Sequence, residues 1–225
     1  MLIAVWIGVA LALTISAALQ IIVRFGWSGF ETPRAGLLAG PLIFAALIQT
    51  GMRSLFAIPV EIKANWTFRL RQPIPLAPVL SGAAASLILC GVIPPVVFAF
   101  ASAAALWGFA TGVKHAVFCG GLSLGLAQIL MRAVDKVPFT CTYTPGTAHI
   151  NKLWPLYLTA FSVFTYSMAE LEATLLRHDR AFATAVGSIG AVGLLLWWSR
   201  LRDARQLARL RFDEEPADGL TLLPL

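Results

Sequence analysis

Apolar residues in this chain come in long blocks rather than in alternation with polar ones. The first block runs from Leu2 to Val23 without an ionisable residue, which matches the roughly 20 apolar residues needed to span about 30 Å of hydrocarbon. Similar blocks recur near residues 37–58, 79–103, 115–131, 153–171 and 181–199. In lipid a backbone must satisfy its own hydrogen bonds, and helices do so within each segment. The pattern therefore predicts an all-α polytopic transmembrane helical bundle of about six spans, with seven as the alternative.

The segments between the blocks carry charges and turn formers. Arg24 to Gly36 includes Trp27, Gly29, Glu31, Pro33 and Arg34, which makes a short loop. The second block begins with Pro41 near its start, ends before Pro59, and carries Gln49 and Arg53, the latter placed to snorkel. The stretch from Leu76 to Met131 is too long for one crossing. Pro94 and Pro95 interrupt its hydrogen bonding, and the favoured reading is two spans, with a prolyl kink in the first and a turn over Trp107–Lys114. A turn between short helices at the double proline is the other reading.

Counting Lys and Arg in the loops of the six-span arrangement gives eleven on one side, among them Lys63, Arg69, Arg71, Arg132, Lys136 and Lys152, and five on the other. The richer side is expected to be cytoplasmic, which puts both termini inside. Residues 1–199 form the transmembrane domain. Residues 200–225 form a cytoplasmic tail that is basic, with Arg202, Arg205 and Arg209 on one helical stripe, then acidic from Asp213 to Asp218. That stripe suits anionic headgroups, or a cytosolic partner.

Composition agrees with a lipid solvent. The chain is 58% hydrophobic and 12% charged, against about 25% charged in a soluble domain. Its net charge of +6 is dispersed among loops and tail, which fits topology rather than nucleic-acid binding. The expected partners are the lipid bilayer and other membrane subunits, with no nucleic acid. Three cysteines, Cys90, Cys119 and Cys141, give no disulfide framework. The uncleaved first block lacks a basic flank, which leaves open that this is the C-terminal part of a longer protein.

Ionisable and amide groups inside lipid are expensive and are candidate sites by default. They are Gln49, Arg53, Gln128, Glu170 and Glu172. The two glutamates close the fifth block, where Arg177 or Arg180 would pair with them at the interface. Lys63, Trp66, Arg69 and Arg71, in a charged and aromatic loop, are candidate headgroup or partner contacts. His115, His149 and His178 are far apart in sequence, and no metal-ligand spacing or nucleotide-binding motif is present. Neither a metal nor a cofactor is expected. Gly36 with Gly40, Gly121 with Gly125, and Gly187, Gly190 and Gly193 have the spacing of close helix contacts, within the bundle or to another subunit.

Two loop segments, ANWTFR at Ala64 to Arg69 and PFTCTYTPG at Pro138 to Gly146, resemble segments of uncharacterised multi-pass integral membrane proteins from bacterial genomes. The resemblance covers roughly Leu55 to Trp154 and implies a bacterial inner-membrane setting; it carries no activity. The leading expectation is a permease-like or accessory subunit of a transport or envelope complex. One alternative is a membrane-embedded enzyme acting on lipid or lipid-linked substrate, with Cys141, His149 or Glu170 reactive, although no catalytic residue is assigned. The other is a scaffold that recruits a cytosolic partner through its tail.

Overall fold

The computed structural model describes residues 2–56, 77–132, 134, 138 and 150–201. The regular elements among them are all helical: α1 (Leu2–Phe25), a 3-10 turn (Trp27–Phe30), α2 (Ala35–Leu55), α3 (Ala77–Gly91), α4 (Ile93–Trp107), α5 (Phe109–Arg132), α6 (Ile150–Leu175) and α7 (Asp179–Leu201). Five stretches are long and apolar enough to cross a membrane: Ala4–Phe25, Ala35–Leu55, Pro78–Trp107, Phe109–Arg132 and Asp179–Ser199. The fifth expected span lies in α6, whose 26 residues extend about 39 Å at 1.5 Å per residue.

The helix is interrupted at Val92, just before the double proline. Pro95 has no amide proton to offer the Gly91 carbonyl, and Pro94 none for that of Cys90. Flanking bonds from Val92 N to Ile88 O (3.0 Å) and from Val96 N to Val92 O (3.1 Å) carry α3 into α4 across the break. The turn expected over Trp107–Lys114 is far shorter than the sequence suggests. It contracts to Gly108, whose φ of 91° suits glycine and strains other residues. Helix α5 therefore starts at Phe109, not near 115, and Lys114 and His115 lie within it.

Without a hydrophobic force between helices in lipid, close packing of small residues does much of the work of association. A Cβ on Gly40 would fall 2.9 Å from Thr14 Cγ2, and one on Gly36 3.1 Å from Ile21 Cδ1, so this glycine pair seats α2 on α1. Gly121 likewise admits Ile189 of α7, at 2.8 Å from such a Cβ. Gly125, Gly187, Gly190 and Gly193 face open space and make no such contact within the described residues. Helix α2 is central: 67% of its span is buried, against 11% of α1's and 6% of α7's.

Contacts between helices fix their directions. Gly36 and Gly40 meet Ile21 and Thr14 in reverse order, and Gly112 and Gly120 meet Ala104 and Val96 in the same way, so α1–α2 and α4–α5 are antiparallel hairpins. Trp107 Nε1 donates to Phe30 O at 2.7 Å, and Lys114 pairs with Asp179 at 2.5 Å, which gathers those turns at one end of the bundle. Arg132 donates to the Ser199 hydroxyl at the other end. The start of α1 and the end of α7 consequently share that second end.

Candidate functional site

Three apolar clusters surround the bundle's interior. Ile48, Met52, Ala84, Leu87, Ala127 and Met131 lie toward the Arg132 end. Leu42, Ala99 and Cys119 lie between the ends, and Ala35, Leu38, Ala39 and Ala169 toward the Trp107 end. Polar side chains are set among them.

Gln49 has no exposed surface. Its Nε2 donates to Gly91 O at 3.1 Å and to Ser123 O at 3.2 Å. The first acceptor is the carbonyl that Pro95 leaves without a helical donor, so one amide from α2 fills the gap at the break and ties α3 to α5. The approach is close enough that a Cβ on Gly91 would lie 2.7 Å from Gln49 Cγ. Gln49 Oε1 is buried with no partner.

One helical turn apart on α5, His115, Cys119 and Ser123 follow i, i+4, i+8 spacing and form a single face; all three are buried. His115 Nδ1 lies 2.7 Å from Glu172 Oε1 of α6, and neither side chain is exposed beyond 1%. Glu172 Oε2 has no partner. Cys119 Sγ lies 3.9 Å from Ser123 Oγ, whose backbone carbonyl holds Gln49. A polar seam thus runs from Glu172 through His115, Cys119 and Ser123 to Gln49 and the broken helix.

No family model, curated protein or solved structure matches this chain. The site is therefore read from its own residues. Of the candidates from the sequence, the structure joins Gln49 and Glu172 to one seam. Gln128 is buried on another face of α5, with Oε1 unpartnered. Arg53 occupies the last turn of α2, while Glu170 is exposed on α6. Glu172 does not pair with Arg177 or Arg180: its position on α6 turns it inward, and it bonds His115 instead. Lys63, Trp66, Arg69, Arg71, Cys141, His149, Arg202, Arg205 and Arg209 lie outside the described residues.

Sequence reasoning missed His115. With the fourth block starting at 115, the histidine sits at a membrane edge. The one-residue turn at Gly108 moves the helix start six residues earlier, and about 9 Å of helix then separates His115 from the end of the bundle. The rule that intramembrane ionisable groups are functional candidates would have found it once that boundary was known.

Proposed function

We propose that this chain is a polytopic protein of the bacterial inner membrane, acting as a permease-like or accessory subunit of a transport or envelope complex, with both termini cytoplasmic. The observation that carries this reading is the Gln49 amide seated on the carbonyl released at the α3–α4 break, beside a buried seam of ionisable and hydroxyl groups. Transport pathways are commonly built from interrupted helices with polar groups near the middle of the bilayer. The cytoplasmic orientation is supported by the excess of Lys and Arg in the segments that belong to the Arg132 end. The bacterial setting rests on the resemblance of the Ala64 to Arg69 and Pro138 to Gly146 segments.

In this reading α1 and α7, which expose Val9, Leu19, Leu194 and Trp198 among other apolar side chains, meet lipid or neighbouring membrane subunits. Lys63, Trp66, Arg69 and Arg71, and the tail arginines 202, 205 and 209, meet headgroups or a cytoplasmic partner. Affinity purification of the tagged full chain in mild detergent, followed by mass spectrometry, tests the proposal. Integral membrane subunits are expected to co-purify in fixed proportion; recovery of the chain by itself would overturn it.

A further inference from the structure

We propose that the His115–Glu172 pair is a proton-binding site in the interior of the bundle. The inference deepens the permease-like reading and rests on it. Charge balance is the starting point. With one shared proton the pair is neutral, either as imidazolium with carboxylate or as imidazole with carboxylic acid. Without that proton it carries −1, and with a second it carries +1. A lone charge in a dry interior is strongly disfavoured, so the site retains one proton until water or a conformational change reaches it.

Among the described residues the surroundings supply no other counter-charge. On α5 the neighbouring titratable group is the thiol of Cys119, and Lys114 is engaged with Asp179 of α7 at the bundle's end. Helix α2 faces this region with Leu38 and Leu42, α4 with Ala99, and α7 with Phe182 against Phe118. On α6 the adjacent buried side chains are Ala169 and the Thr165 hydroxyl, which donates to Phe161 O. The buried and unpartnered Glu172 Oε2 is a free acceptor for an arriving proton or water.

The test is nitrogen NMR of the full chain in lipid nanodiscs, with 15N-histidine labelling and with His149→Gln and His178→Gln so that only His115 reports. Loss of the shared proton leaves hydrogen on Nδ1, facing the carboxylate, and strips it from Nε2. One such step is expected as the sample pH is raised and water reaches the pair. Glu172→Gln is expected to weaken proton binding at the ring at least tenfold, and Glu172→Asp to restore part of it. A ring pattern unchanged as the pH is raised, or the same step in Glu172→Gln as in the parent, would overturn the site. A static ring in protein that still co-purifies with membrane subunits would refute the proton site alone. A titrating ring in a chain that purifies without partners would refute the subunit reading alone.

Discussion

Gln49 shows how one side chain can serve two helices. Its amide bonds the orphaned Gly91 carbonyl and the Ser123 carbonyl, and interhelical hydrogen bonds in membranes contribute about 0.6 kcal/mol on average. Gln49→Leu is expected to destabilise the protein by about 1 kcal/mol, measured by thermal unfolding in mild detergent. The His115–Glu172 pair behaves differently, because removing one partner strands the other. His115→Leu is expected to cost about 3 kcal/mol, while His115→Leu with Glu172→Met recovers most of that loss. The same unfolding assay reads both, and equal stability of the single and double variants would contradict the pairing.

At the scale of elements, the interrupted helix α3–α4 depends on a glycine that faces a neighbour. A methyl group on Gly91 would press on Gln49 Cγ, which two hydrogen bonds hold in place, so Gly91→Ala is expected to destabilise by about 1–3 kcal/mol. Gly82 lies in α3 with open space beside it. Gly82→Ala is expected to be neutral or to stabilise by about 0.5–1 kcal/mol through helix propensity. Opposite signs for two Gly→Ala changes in one helix would separate packing from propensity. The double proline and this glycine act together: the first opens the hydrogen-bond ladder, and the second leaves room for the amide that refills it.

For the whole molecule, the helices traverse the bundle so that the Arg132 and Ser199 side chains meet at one end while Lys114 and Asp179 meet at the other. In a chain whose native cysteines are replaced by serine, Gly121→Cys with Ile189→Cys is expected to cross-link on mild oxidation, because a Cβ at position 121 lies 3.8 Å from Ile189 Cβ. Lys114→Cys with Ser199→Cys is not, because those positions lie at opposite ends. Gel mobility after oxidation checks both, and bridging of the second pair would break the topology. Helices α1 and α7 are barely buried, with 11% and 6% of their spans inside the bundle, and in the proposed reading lipid or other subunits cover the rest.

The sequence by itself determined the solvent and the architecture. Charge-free blocks of membrane length specify helices, and the prolines at 94 and 95 specify an interruption of the hydrogen-bond ladder, because both effects act along the local chain. Gly36 and Gly40 were likewise legible as a packing face, although not as the seat of Thr14 and Ile21. Only the tertiary structure decided the site. Glu172 could have turned to Arg177, a helix starting near residue 115 would have left His115 at the edge, and Gln49 could have faced lipid. Which polar groups meet depends on helix rotation and on the abrupt reversal at Gly108, and these are set by contacts between segments 42 to 74 residues apart. Hydrophobicity constrains how deep a residue lies and leaves open which neighbour it finds.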